Sequence, residues 1–221
     1  MSEVLRVQAS PLAALNSLAV LASTARQCES RVAPFLPIKD AYPLLDGHNY
    51  AHKTASLQLG SVGVSVGLGS PFCFEVDNHE VVTLLLSSGG RACVQLDGAT
   101  YRNSLQQPGL FLPGEAYRCE LSDANGFVIT TRPERLASTA LTMAEEMDAN
   151  AVDLAALQQP LELGSLSGHS AHLLDLLRKT LSMLDALHTA SRLPSQSKAI
   201  EDLICRQIAG LLIPSLVGRK D

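Results

Sequence analysis

The 221-residue sequence contains no tryptophan, and aromatic residues make up only 4% of it. Its core must be filled by Leu, Val and Ala, with few large rings to anchor it. Charge is sparse as well, at 18% against an apolar fraction of 46%, which excludes a disordered chain and describes a globular one. Length alone permits one large domain or two small ones. No stretch approaches the ~20 consecutive apolar residues of a membrane-spanning helix, so no membrane partner is expected. A basic stripe is missing too. The formal net charge is −5, with 8 basic and 10 acidic residues from Arg135 onward and 9 and 12 before it. Neither part has the surface needed to neutralise phosphates, which argues against direct nucleic-acid binding. The five cysteines, Cys28, Cys73, Cys93, Cys119 and Cys205, are odd in number and scattered, with no C-x-x-C pair. They fit buried thiols in a reducing cytosol rather than a disulfide framework or a zinc site, so the expected location is cytoplasmic.

Periodicity divides the chain into three regions. Residues 1–50 read as an N-terminal helix and a proline-rich arm. Leu12, Leu15, Leu18 and Leu21 recur at helical spacing after Pro11, which predicts an amphipathic helix from Pro11 to about Cys28. The apolar run Leu12–Ala22 is similar to a signal-peptide core, but Glu3 opposes Arg6, and Asn16 and Ser17 interrupt the run. Pro34, Pro37 and Pro43 then rule out helix up to Gly47 and predict an extended arm over a surface.

Residues 51–133 read as β throughout. Leu57, Leu59, Val62, Val64 and Val66 alternate with Gln58, Gly63 and Ser65, the period of a half-buried strand. Val81–Leu86 is a continuous apolar run that Ser87-Ser88-Gly89-Gly90 is expected to end, with Cys93, Val94 and Leu96 in the next strand. Asp97-Gly98 is a hairpin signal. Turns at Pro108-Gly109 and Pro113-Gly114 bracket Leu110–Leu112, and Tyr117–Leu121 and Phe127–Thr131 complete the set. Seven or eight short strands at turn spacings of roughly ten residues predict a sandwich or closed barrel.

Residues 134–217 read as helical. Pro133 and Glu134 suit a helix start, followed by Leu136, Leu141, Met143 and Met147, while Glu145-Glu146 reads as a solvated face. The clearest helix runs from Ser170 to Arg192. Leu174, Leu177, Leu181 and Leu184 form one stripe, and Leu173, Leu176, Met183 and Leu187 form its neighbour. Two stripes are wider than the seam one helix covers, so a second copy of the chain is the expected partner, through Leu174, Leu177, Leu181 and Leu184. A last helix begins after Pro194-Ser195, places Glu201 and Asp202 near its positive end, buries Ile200, Leu203, Ile204, Ile208, Leu211 and Leu212, and stops at Pro214.

Few motifs carry chemistry. Gly63-Val64-Ser65-Val66-Gly67 matches G-x-S-x-G, but a nucleophile elbow needs a sharp turn into a helix, and this serine sits in an alternating strand. His169 and His172 are three apart where a helix opens, yet no third ligand is evident. His48 and His52, flanking Asn49-Tyr50 before the first strand, are read as ordinary residues too, and His79-Glu80 as a strand start at the rim. No phosphate loop, carboxylate pair or Cys/His dyad stands out, so no catalytic or metal residues and no cofactor are assigned.

The strand Val81-Val82-Thr83-Leu84-Leu85-Leu86, the segment Cys93-Val94-Gln95-Leu96-Asp97-Gly98, the run Pro108-Gly109-Leu110-Phe111-Leu112-Pro113 and Tyr117 together resemble the sensor domain of AraC-type transcription regulators. The tail from Ile200-Glu201-Asp202-Leu203-Ile204 to Leu211-Leu212-Ile213-Pro214 resembles the helix preceding that family's DNA-binding domain. The resemblance implies an α+β fold, a cupin-like antiparallel β-barrel or sandwich followed by a helical dimerisation region. It implies a homodimer, a small-molecule effector inside the barrel, no enzymatic activity, and DNA contact only through a domain absent from this chain. Phe72, Phe74, Leu84 and Tyr117 are then the candidate ligand-binding residues. Metal-dependent cupins carry H-x-H…E and a later histidine, whereas this chain has no H-x-H and Tyr117 stands near that later position. The family continues with two helix-turn-helix motifs where this sequence ends at Arg219-Lys220-Asp221, which is expected of an excised sensor or of a protein without the reader. The rival reading is a stand-alone cupin-type enzyme or a dimeric binding protein.

Overall fold

The computed structural model describes residues 3–45, 50–147, 152–164 and 166–217. A short helix α1 (Glu3–Ala9) leads to strand β1 (Val20–Ala22), helix α2 (Ala25–Val32) and strand β2 (Ile38–Pro43). Strands β3 (His52–Leu59), β4 (Val62–Gly69), β5 (Phe72–Val76), β6 (Val82–Leu96), β7 (Ala99–Ser104), β8 (Gly109–Leu112) and β9 (Tyr117–Thr131) follow. Helix α3 (Pro133–Glu146), strand β10 (Leu161–Leu163), helix α4 (Gly168–Thr189) and helix α5 (Leu193–Leu212) complete the chain.

All pairing is antiparallel, and two long strands organise it. β6 and β9 run side by side from Val82↔Thr131 to Gln95↔Arg118, with register shifts between Ser87 and Arg91. Past that irregularity each strand changes its outer neighbour. β9 pairs with β4 through residues 125–130 and with β5 through residues 117–121. β6 pairs with β8 at one end and β7 at the other. One half of the sheet is β1-β3-β4-β9-β6-β8-β10, and the other is β2-β5-β9-β6-β7. Leu85, Leu110 and Leu112 of the first half share a core with Phe72, Phe74, Val94 and Cys119 of the second, so the halves face each other.

Ser87-Ser88-Gly89-Gly90 is therefore a bend within one fifteen-residue strand, not the end of a strand as expected. Gly90 takes a φ of +68°, and a Cβ there would lie 2.2 Å from the Asp123 carbonyl oxygen, so the strands cross too closely for a side chain. Tyr117–Leu121 and Phe127–Thr131 are likewise one strand. The Asp97-Gly98 signal does make the β6–β7 hairpin, with φ of 49° and 77° at the two turn residues.

The expected helix from Pro11 to Cys28 does not form. Asn16 ties its side-chain amide to both the N–H and the carbonyl of Leu12, at 2.9 and 3.1 Å. The amide and hydroxyl of Ser17 donate to Asp185 of α4, at 3.0 and 2.5 Å. These bonds satisfy the backbone without a helical ladder. A new helix then starts at Thr24, whose hydroxyl accepts from the Gln27 N–H. Within the proline arm Pro34 lies in a turn that closes α2, and Ile38–Pro43 is extended as expected, joining the sheet as β2 beside β5.

Helices α3, α4 and α5 cover the outer face of the β3–β4–β9–β6 half. Val62, Val64, Val66, Leu84, Leu86 and Ile129 share one core with Leu136, Ala140, Ile204 and Ile208. Leu174, Leu177, Leu181 and Leu184 belong to that core as well, at 5% exposed or less. This corrects their assignment to a dimer interface. Each buried leucine is worth about 1.5–3 kcal/mol, and α5 and the sheet supply the burial within one chain. Leu203 runs the other way, exposed where burial was expected, and Leu141 and Met147 are exposed too. Glu146 is not merely solvated, since Arg206 of α5 grips both its carboxylate oxygens at 2.7 and 2.8 Å.

The β3–β4 turn is held to α5 by Glu201, whose Oε1 accepts from the amide and hydroxyl of Ser61 at 3.0 and 2.6 Å. Its side chain is only 14% exposed. Glu201→Ala should lower unfolding stability by about 1–3 kcal/mol in urea melts, while Glu201→Gln, which keeps an acceptor, should lose clearly less.

Candidate ligand-binding cavity

The two sheet halves do not fill the space between them, because of what β3 and β4 turn inward. Along their register His52 faces Gly69, Thr54 faces Gly67 and Ser56 faces Ser65. The intervening residues, Ala55, Leu57 and Leu59 on β3 and Val64, Val66 and Leu68 on β4, pack toward the helices instead. One inner wall is thus polar and nearly without bulk. G-x-S-x-G is a strand here, as its alternation predicts, and it supplies small residues to that wall.

The resulting cavity measures about 90 Å³ in the space open to the centre of a water molecule. At roughly 10–15 Å³ per water centre, that is room for several waters or a small organic molecule. Phe72, Phe74 and Leu121 stand on the other sheet half, while Val128, paired with Ser65, and Leu85, paired with Val128, extend the β3–β4 side with apolar residues. Cys28, Glu29 and Val32 of α2 lie across the top, so the N-terminal arm forms part of the enclosure. Although aromatics are scarce in this chain, three of its five phenylalanines, Phe72, Phe74 and Phe127, line the space.

His52 is the central polar group. It is 4% exposed, and its imidazole packs edge-on against Phe72, at 4.9 Å between ring centroids, and beside Tyr50 at 6.4 Å. The ring lies against bare backbone: a Cβ on Gly67 would come within 2.7 Å of Nε2, and one on Gly69 within 2.4 Å of Nδ1. Nδ1 is buried and makes no hydrogen bond. Burial holds the imidazole neutral, pushing its pKa from 6.5 down to about 4. Burial also pushes the Cys28 thiol up to about 12, which leaves it protonated and unreactive. The Thr54 hydroxyl donates to the Val66 carbonyl at 3.2 Å, and Ser65 and Ser56 share a hydrogen bond of 2.8 Å.

Of the residues assigned to the pocket from sequence, Phe72 and Phe74 line it. Leu84 does not, because it points out of the doubled sheet into the core beneath the helices. Tyr117 lies next along the aromatic row, 6.2 Å from Phe74 and 6.5 Å from His79, but outside the cavity. Its hydroxyl is buried without a partner, and both ring nitrogens of His79 are unpaired. His169 and His172 are exposed on α4. His48 falls outside the described residues. Among the described residues no group of three or more His, Cys, Asp or Glu is placed to hold a metal ion. None of their helices is long and apolar enough to cross a membrane. Sequence reasoning misses His52, Thr54 and Ser65 as pocket residues, although the polar alternation before Leu57 is a readable signal.

The bend beside the cavity is bonded to the rest of the molecule. Arg178 of α4 donates to the carbonyl of Ser87, a cavity residue, at 2.8 Å. Asn125, also in the wall, accepts from the Ala13 N–H at 3.2 Å and donates to the Pro11 carbonyl at 3.3 Å.

No protein-family model matches the sequence, and no curated protein matches it. Among solved structures, the AraC-like transcriptional activator CuxR matches 85% of this chain and 65% of its own, with TM-score 0.58 and 17% identity. The two share a fold. It is α+β with a cupin-like doubled sheet, as the resemblance in the sequence implied. This chain spans just under two thirds of the CuxR chain, so what the whole activator does is not carried over with the fold. Partial matches include the cupin domain of Schizosaccharomyces pombe Cnp3 (TM-score 0.28, 17% identity, 36% of this chain and 60% of that one). The Clostridium difficile EutQ protein is another (TM-score 0.27, 14% identity, 38% of this chain and 64% of that one).

The neutral His52 makes a pH signature. Its folded pKa lies below the ordinary 6.5, so the unfolded chain takes up the proton first as pH falls. The contribution is constant above about pH 6.5, and stability is lost between there and about pH 4, by about 3 kcal/mol in all. Urea unfolding at pH 7.5 and pH 4.5 should show a smaller acid loss in His52→Phe than in the wild type; equal losses would mean that the imidazole is not buried neutral.

Proposed function

We propose that this chain is the ligand-sensing and dimerisation module of an AraC-type transcription regulator, acting in the cytoplasm without enzymatic activity. The observation that carries the reading is the cavity, enclosed between a polar and an apolar wall beneath an N-terminal arm. A small effector entering it changes which packing of α2 and of the β6–β9 bend is preferred. The Arg178–Ser87 and Asn125–Pro11 bonds then bias the position of α4 and of the arm. DNA is contacted by a domain other than this one.

The partner in a homodimer is met by the second stripe of α4, because Leu174, Leu177, Leu181 and Leu184 are occupied within the chain. Met183 is 50% exposed and Leu176 half-buried on that side. Such a stripe is narrow, so the interface draws on neighbouring surface as well.

The deciding experiment is a thermal-shift screen of the full chain against cellular metabolites. A compound near 100 times its dissociation constant should stabilise by about 2.7 kcal/mol and raise the melting midpoint by about 5–10 °C. Ala92→Leu, which puts methyl groups into the cavity, should abolish that response. No responding compound, or the same response in the filled variant, would refute the sensor reading. Sedimentation of the wild type and Met183→Arg tests dimerisation separately: a dimer weakened about tenfold or more by the charge is expected, and a wild-type monomer would end that part of the proposal.

A further inference from the structure

The walls of the cavity restrict what can occupy it, a restriction that presupposes the sensor reading above. A charged ligand would leave water and need a counter-charge inside. Among the described residues the interior offers none. The charged side chains on the lining are Glu29, half-buried on α2, and Arg91, exposed at the bend; both belong to the mouth. Within, the ionisable groups are His52, kept neutral by burial, and the protonated thiols of Cys28 and Cys119.

The interior does offer hydrogen bonds. His52 is 4% exposed with Nε2 beside Gly67, a lining residue, and Thr54 keeps acceptor capacity after donating to Val66. Ser65 stands next to them on the wall, 3% exposed. On the other sheet half Phe72, Phe74 and Leu121 face the space with no polar side-chain atom, and Asn103 there donates to the Leu85 and Gln107 carbonyls at 3.4 and 3.1 Å. A neutral imidazole presents one donor and one acceptor, as a hydroxyl does, so the two complement each other.

We propose that the cavity binds a small uncharged molecule with one hydroxyl or similar neutral headgroup on an apolar body, the headgroup on the His52–Thr54 wall and the body against Phe72 and Phe74. Size sets a second limit. About 90 Å³ suits a short alkyl chain or a single ring rather than a sugar or a nucleotide.

The test uses the full chain and two headgroup series, n-butanol, butyrate and butylamine on a four-carbon chain, and benzyl alcohol, benzoate and benzylamine on a ring. Binding is followed by NMR from the amide shifts of Gly67 and Gly126, which report the cavity wall directly. The alcohols are expected to bind at least about tenfold tighter than the matching anion and cation. Thr54→Val and His52→Phe should each weaken the alcohols by about tenfold while leaving toluene, which has no headgroup, unaffected. The isosteric Thr54→Val keeps the test decisive where His52→Phe disturbs folding. Butyrate or benzoate binding as tightly as its alcohol would overturn the assignment and leave the cavity as a ligand site. Unchanged alcohol binding in both variants would overturn the polar wall as the headgroup site. If no alcohol, ion or toluene binds at all, the cavity is closed to ligands, and the sensor reading falls with the assignment.

Discussion

The fold depends on β6 and β9 staying paired along fifteen residues each while the pair bends in the middle. A flat sheet of these strands would present one continuous face on each side, and this chain has too few aromatic side chains to cover two such faces. Bending the pair makes one face concave and turns it on itself. The convex side of one half is then free to take the helices. Two cores result from one crease: an inner one between the sheet halves and an outer one beneath α3, α4 and α5. The crease requires residues without bulk, which is why Ser87, Ser88, Gly89 and Gly90 interrupt an otherwise apolar strand.

That crease is also where the cavity meets the rest of the molecule. Ser87 and Asn125 belong to the wall, yet their outward bonds go to Arg178 on α4 and to the segment Pro11–Ala13. The same N-terminal segment reaches α4 again through Ser17 and Asp185. Wall, arm and helix thus form a closed loop of polar contacts. None is deeply buried, and each alone is worth about 0.5–3 kcal/mol, the upper end only where Arg178 or Asp185 brings a charge. Modest contacts are what a shiftable equilibrium needs, since a ligand moves it only by its differential affinity for the two states.

Much of this architecture is legible in the order of the residues. The β region, the Asp97-Gly98 hairpin, the proline-led start of α3 and the course of α4 all follow from period and turn chemistry. The N-terminal helix fails for a reason invisible to periodicity. Asn16 and Ser17 look like mild interruptions of a leucine pattern until their partners are known, and Asp185 is 168 residues from Ser17. The α4 leucines fail differently. A stripe records that burial is needed, not whether the same chain or a copy supplies it.

The cavity residues escape sequence reasoning through an inversion of faces. On β3 and β4 the alternation is unambiguous, with Ala, Val and Leu on one side and His, Thr, Ser and Gly on the other. The ordinary rule sends the apolar side inward and the polar side to water. Here both sides are buried, because helices cover the outside, and the polar side is the one facing the interior. The same inversion sends Leu84 outward to the helices while Leu85, its neighbour, lines the cavity. A half-polar strand becomes evidence for a binding cavity only when something else in the chain can cover its apolar face. Three amphipathic helices following the sheet are that cover, so the inward polar wall is already implicit in their number.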